Sequence, residues 1–155
     1  MTITVIAVDD LSDGKVIALL NAHRAEMFKY SPPESIHALD EDSLIAPSMT
    51  FWSAKINQLV VACGGLKELS DTSAEIKSMK TNTDFLRLGI AEKILMVIIA
   101  EAKRRDYSEI FLETGSHEAF LPAIKLYEKY GFQECRPFGD YKPDPYSRFF
   151  KMILN

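Results

Sequence analysis

The run Leu86-Arg87-Leu88-Gly89-Ile90-Ala91 has almost no side chain at Gly89 and Ala91, directly ahead of an apolar helical repeat. A helix start exposes main-chain N–H groups that no earlier carbonyl can take, at the positive end of the helix dipole. Bare backbone at such a point lets a phosphate approach closely, so the chemistry expected here is anion binding by the main chain. A glycine loop before a helix is also an ordinary turn, and this run alone does not separate the two readings.

Other reactive residue types are sparse. Cys63 and Cys135 lie far apart in apolar settings and read as reduced structural thiols. His23, His37 and His117 share no metal-ligand spacing, so no metal is expected. The acidic stretch Glu34 to Ala46, with Asp40, Glu41 and Asp42, reads as solvated surface or as one wall of a site for a cationic substrate. The formal net charge of -4, with no basic run beyond Lys103-Arg104-Arg105, argues against a nucleic-acid partner held by bulk charge. No secretory leader or long apolar segment is seen, so the expectation is a cytoplasmic protein with no membrane partner. The 155 residues suit one domain spanning 1-155.

The elements that must position the loop follow from periodicity. Thr2 to Val8 alternates as a strand, and Ser12 is the expected N-cap of a helix carrying Val16, Leu19, Leu20, His23 and Met27 at helical spacing. Pro32-Pro33 breaks that helix, and a short helix is expected near Ser35–Leu39. Met49 to Ile56 and Leu59 to Leu69 form a hairpin through Asn57-Gln58, with Gly64-Gly65 marking a bulge or a close backbone approach and Trp52 on a packed sheet face. Ser73 to Lys80 is the next strand, with Ala74, Ile76 and Ser78 on one face and Glu75, Lys77 and Met79 on the other. The loop then opens a helix to about Arg105, with the stripe Ile90, Ile94, Val97, Ile98 and Ala102. A strand at Glu109 to Glu113 after it implies a parallel neighbour. A helix from about Glu118 to Tyr130 carries Phe120, Ala123, Ile124 and Tyr127 on one face, and Gly131 stops it. Short strands from Phe132 and from Ser147 flank the loop Pro137 to Tyr146. The fold class expected is α/β (α+β), with a mixed, mainly antiparallel central sheet and helices on both faces.

This order of elements resembles the GNAT superfamily of N-acetyltransferases over nearly the whole chain. That family's loop reads Arg or Gln, two residues, Gly, one residue, then Gly or Ala. Gly89 and Ala91 match, while Leu86 stands at the first position and Arg87 beside it is the candidate replacement cation. Ala123 to Phe132 is similar to the family's Ala-x-x-Leu-Tyr, three residues, Gly-Phe segment. Phe120 stands where many members have an asparagine that contacts the cofactor. Leu112 to Ser116 and Pro137 to Tyr141 resemble a subgroup of small bacterial acetyltransferases, the YsnE type.

The resemblance implies transfer of an acetyl group from acetyl-CoA to the primary amine of a small molecule or peptide, by direct attack in a ternary complex. It implies a cofactor site at Met79, Lys80, Thr81, Leu86, Arg87, Leu88, Gly89, Ile90, Ala91, Phe120 and Tyr127. Main-chain N–H groups around Met79 would face the oxyanion. Glu75 is the candidate base, or else a carboxylate paired with Lys67 or Lys77. Tyr127 is the candidate acid for the departing thiolate, or else a packed tyrosine. Glu34, His37, Asp40, Trp52, Glu113 and the Phe138–Tyr146 loop are candidate walls for the amine. The alternative is a GNAT-fold acyl-CoA-binding protein without turnover. A nucleotide-binding βαβ module fits less well, because the hairpins argue for antiparallel pairing. A homodimer through the C-terminal strands is left open.

Overall fold

In the structure, a computed structural model, residues 3–37 and 41–154 are described. The strands are β1 (Thr4–Asp9), β2 (Met49–Ile56), β3 (Leu59–Glu68), β4 (Ser73–Thr81), β5 (Glu109–Gly115), β6 (Gln133–Cys135) and β7 (Ser147–Ile153). They form one seven-stranded sheet in the order β1-β2-β3-β4-β5-β7-β6. β4 and β5 run parallel, and the other neighbours pair antiparallel. The parallel pair is the one joined through a helix, because a parallel neighbour needs a crossover that a tight turn cannot supply. The β2–β3 hairpin turns on Asn57 and Gln58 with φ of 49° and 69°, the left-handed pair that a two-residue turn requires.

Helices cover both faces. On one, α3 (Ile90–Arg104) and α4 (Leu121–Lys129) pack over Trp52, Ala54, Val61, Leu66, Ala74, Ile76, Ile110, Leu112 and Phe150. On the other, α1 (Lys15–Met27) and α2 (Glu41–Leu44) enclose Leu11, Val16, Leu44, Phe51, Val60 and Cys63. The α3 stripe is wider than its sequence reading, since Leu95 and Ile99 are buried along with Ile90, Ile94, Ile98 and Ala102. A helix lying on a broad sheet buries a wider arc than one meeting a single neighbour.

Three local expectations need correction. Ser12 does not cap α1; its hydroxyl goes to Asp10 Oδ1 at 2.7 Å, and Gly14 in the left-handed region precedes the helix. The helix expected near Ser35–Leu39 is a single 3₁₀ turn, Pro33–Ser35, while Leu39 lies outside the described residues. The helix expected from Glu118 starts as a 3₁₀ turn, Glu118–Phe120, and becomes α-helical only at Leu121. The expected stop at Gly131 stands, with φ of 102°.

The strand that matters most also departs from simple alternation. Across β3 and β4, Cys63 is opposite Lys80 and Gly65 is opposite Lys77, so Ser78 and Met79 together oppose Gly64. This is a β-bulge, and Ser78 takes φ of 60° to make it. The slip moves Met79 onto the face of Ala74 and Ile76, against α3, contrary to the expected placing with Glu75 and Lys77. Glycine at 64 follows from this crowding. A Cβ there would lie 2.5 Å from Met79 Sδ, 2.9 Å from Ile94 Cγ2 and 3.0 Å from Ile98 Cδ1. Gly64→Ala should therefore destabilise the fold by about 1–3 kcal/mol through overpacking, read as a lower urea midpoint.

Candidate active site

The site begins where two strands separate. The β4–β5 ladder ends at Ile76 and Leu112. Beyond it β4 stays with β3 through Lys80–Cys63 and Thr81–Ala62, while β5 stays with β7 through Glu113–Phe149 and Gly115–Ser147. Among the described residues, the stretch Lys77 to Thr81 thus has no strand partner on its β5 side. Unpaired main-chain groups on such an edge can take an extended, amide-bearing ligand as an added strand.

The start of α3 is open. Gly89 precedes the helix with φ of 76°, no side chain caps it, and nothing lies within 4 Å of where a Cβ would be. Leu86 and Leu88 are 53% and 59% exposed, so neither seals the turn. Arg87, also exposed, holds φ of 64°, a strained choice for a residue with a Cβ. Glu92, whose charge would repel an anion, is drawn aside to Lys129 Nζ and the Tyr130 hydroxyl, each at 2.9 Å. Those two donors hold its carboxyl below the ordinary range. The helix start therefore offers main-chain donors without a competing carboxylate.

Of the residues expected around a cofactor, several are committed through their side chains. Met79 is in the core, and Lys80 Nζ pairs with Glu26 on α1 at 3.1 Å. Phe120 lays its ring on the bare backbone of Gly115, where any Cβ would collide with it, and meets the Tyr30 ring edge-on at 6.1 Å. Tyr127 is 7% exposed, edge-on to Phe132 at 5.8 Å. Burial pushes its phenol up to about 12, so it is a protonated donor at neutral pH. Cys63 donates its thiol to the Ser78 carbonyl at 3.4 Å, and burial pushes it up to about 12.

The face of the sheet opposite α3 carries a polar triangle. Glu75, 3% exposed, accepts from the Tyr141 hydroxyl at 2.7 Å and from Lys77 Nζ at 3.3 Å. Lys77 Nζ also donates to the Tyr141 hydroxyl at 2.9 Å. The ion pair of Glu75 is thus with Lys77 and not with Lys67. The loop that brings Tyr141 is fixed by aromatic contacts: Phe138 stacks on Phe111 at 4.7 Å, and Tyr141 meets His37 at 5.0 Å and Phe149 at 5.4 Å. Asp144 anchors the same loop by accepting from Ser35 Oγ at 2.6 Å.

Glu113 lies on this face as well. Burial pushes its carboxyl up to about 7, with Glu75 and Asp144 adding to the rise and Ser147 and Lys77 opposing it. The Ser147 hydroxyl does so from nearby although it completes no hydrogen bond. Among the expected amine walls, His37, Glu113 and the Phe138–Tyr146 loop are brought together. Trp52 is not one of them, being 4% exposed in the core under α3. Glu34 is on the exposed 3₁₀ turn, and Asp40 lies outside the described residues. The sequence reading missed Tyr141 as the partner of Glu75; its only signal was the aromatic and turn-rich stretch Pro137 to Tyr141.

An open helix start beside two diverging strands suits a phosphate-bearing ligand with an extended, amide-containing arm. The chain belongs to the acetyltransferase (GNAT) family, whose model matches residues 16–132. It is 50% identical to the uncharacterized N-acetyltransferase YsnE of Bacillus subtilis, over 93% of this chain and 95% of that one. The crystal structure of a Klebsiella pneumoniae putative acyl-CoA N-acyltransferase is 26% identical with a TM-score of 0.81, covering 99% of each chain. The Salmonella typhimurium putative acetyltransferase yncA, solved with its cofactor acetyl-CoA, shares the fold at 17% identity and a TM-score of 0.72, over 98% of this chain and 94% of that one.

The raised carboxyl of Glu113 has a consequence for stability. Its folded value of about 7 lies above the reference of 4.5, so the folded chain keeps a proton that the unfolded chain releases. The stability associated with the protonated form is complete below pH 4.5 and is lost as pH rises through about 7. The loss is on the order of 3 kcal/mol. Glu113→Gln should remove this slope, so that urea unfolding at pH 8 shows the variant gaining on the wild type.

Proposed function

We propose that this protein is an acetyl-CoA-dependent N-acetyltransferase that passes the acetyl group to a primary amine by direct attack in a ternary complex. The observation that carries the reading is the uncapped, uncovered start of α3 beside the unpaired edge of β4. The N–H groups of Leu88 to Ala91 suit a diphosphate, and Arg87 supplies a cation next to it. The unpaired edge from Lys77 to Thr81 suits the amides of the pantetheine arm. That arrangement brings the thioester carbonyl to the bulge at Ser78–Met79, whose N–H groups serve the tetrahedral oxyanion. Acetyl-CoA in the same fold from Salmonella typhimurium supports this choice of donor.

The amine nitrogen attacks the thioester carbon, the C–S bond breaks, and the thiolate takes the Tyr127 proton. A phenol held at about 12 is neutral and keeps its proton at neutral pH, so it can hydrogen-bond to the departing sulfur and pass the proton on as negative charge builds there. An alkyl ammonium must lose a proton before it can attack, and that proton goes to a carboxylate on the Glu75 and Glu113 face. The aromatic and acidic lining around Tyr141 suits a cationic amine.

Acetyl-CoA at 100 times its Kd should stabilise the protein by about 2.7 kcal/mol, seen as a rise in Tm. No shift with acetyl-CoA or any longer acyl-CoA would end this reading. Release of free CoA with a panel of primary amines separates transfer from mere holding, since an acyl-CoA-binding protein gives the shift without release. Tyr127→Phe should lower kcat by roughly 100-fold and leave the acetyl-CoA Kd within about threefold. Arg87→Ala should weaken CoA about tenfold and dephospho-CoA little if Arg87 meets the 3′-phosphate. Equal losses would move that contact elsewhere.

A further inference from the structure

Two carboxylates share the face on which the amine must be deprotonated, and their surroundings differ. Glu75 sits within the paired part of the sheet, opposite Phe111, one position before the ladder ends. Its Oε2 is already taken by the Tyr141 hydroxyl and Lys77 Nζ. That oxygen is thus engaged within the protein, holding the Tyr141 hydroxyl and the Lys77 ammonium in one geometry. Glu113 is the first residue of β5 beyond the last paired register, Ile76–Leu112. Strand alternation keeps it on the side of Phe111, whose ring stacks on Phe138, and opposite the core side of Leu112. Had the ladder continued, Lys77 would have been its neighbour. The ladder instead stops one register short of this pair, so no strand pairing ties Glu113 to Lys77.

A second observation points to the same place. Ser147, diagonal to Glu113 across the β5–β7 pair, has its Oγ buried without a hydrogen-bond partner. Among the described residues Glu113 is in no ion pair, and the hydroxyl on its face is left unsatisfied although buried polar groups are nearly always satisfied. An ammonium group brings three donors, enough to serve both.

We infer that Glu113 is the catalytic base, taking the proton of the acceptor amine, and that Glu75 is a positioning residue holding Lys77 and Tyr141 in place. This rests on the transfer reading above. The balance is simple: the ammonium N–H bond breaks toward Glu113, the freed lone pair forms the C–N bond, the C–S bond breaks, and Tyr127 protonates the sulfur. The charged and titratable groups facing Glu113 are Lys77 and Glu75 on β4, Tyr141 and Asp144 on the 137–146 loop, and His37 beyond Tyr141. Burial outweighs the cation, and a carboxyl near neutrality is suited to accepting and releasing a proton at working pH.

The test uses the full-length protein, acetyl-CoA, and whichever primary amine of a panel gives most CoA release. Wild-type kcat/KM should fall on the acid side through about pH 7. Glu113→Gln should lower kcat/KM by roughly 100-fold or more, abolish that limb, and leave acetyl-CoA binding unchanged by calorimetry. Glu113→Asp, which keeps the carboxylate but shortens its reach, should retain the limb with an intermediate rate. Glu75→Gln should lower the rate yet keep the limb. Carboxyl-carbon NMR of the ligand-free wild type gives a readout independent of turnover, and Glu113 should titrate near 7. A rate within threefold of wild type in Glu113→Gln, a limb lost only in Glu75→Gln, or a Glu113 titration below pH 5 would each overturn the assignment. A wild type that binds acetyl-CoA and releases no CoA with any amine removes the transfer reading and this role together.

Discussion

The parallel ladder between β4 and β5 stops at Ile76–Leu112, and the rest of the site depends on that stop. Each strand keeps its outer neighbour, so neither is free to close the gap. Main-chain donors and acceptors from Lys77 to Thr81 are left facing an opening inside a sheet. Exposed edges are ordinarily found at the rim of a sheet, where they invite unwanted pairing. Here the edge is internal, between β4 and β5, with α3 packed against β4 on one face of the sheet. The bulge at Ser78–Met79 adds to the divergence, because an extra residue on one strand bends it and increases its twist.

Two kinds of electrostatics meet at this opening. At the start of α3 the field comes from backbone dipoles, with Glu92 removed by Lys129 and Tyr130. On the opposite face it comes from side chains held in little water. The Glu75–Lys77–Tyr141 triangle is satisfied internally and fixes the loop that carries Phe138 and Asp144. A buried ion pair adds little net stability once desolvation is counted, but breaking it strands a charge. Its value here is geometric, since it locks β4 to the aromatic loop across 64 residues of chain.

Much of this was readable in the chain, and the reasons for the failures are physical. The hairpin at Asn57-Gln58 and the stop at Gly131 are at residues that take a positive φ, Gly64-Gly65 marks where the β3–β4 register slips, and the crossover helix is legible from its apolar stripe. The face of Met79 was misread because Ser78, which tolerates many conformations, gives no sign that it will turn left-handed. Ser12 was misread as a cap because the helix begins two residues later than that cap implies, at Lys15 behind the left-handed Gly14, where Asp13 Oδ1 accepts from the Lys15 N–H. Trp52 was one residue out of phase with the polar face, and tertiary packing alone decides which face of a doubly covered sheet holds the site. The pairing of Glu75 with Tyr141 spans 66 residues and leaves no local pattern at all.

The thiol beneath the bulge has a bearing on the route of the acyl group. Cys63 lies directly across β3 from the point where β4 bends, yet it is 1% exposed, spends its proton on the Ser78 carbonyl and resists ionisation up to about 12. Its sulfur packs with Val16 and Phe51, on the far side from Tyr127. A covalent relay by transthioesterification needs an accessible thiolate, and this position denies both access and charge. The same confinement makes the cysteine indifferent to mild oxidants and alkylating agents, so the bend it underpins is insulated from redox conditions.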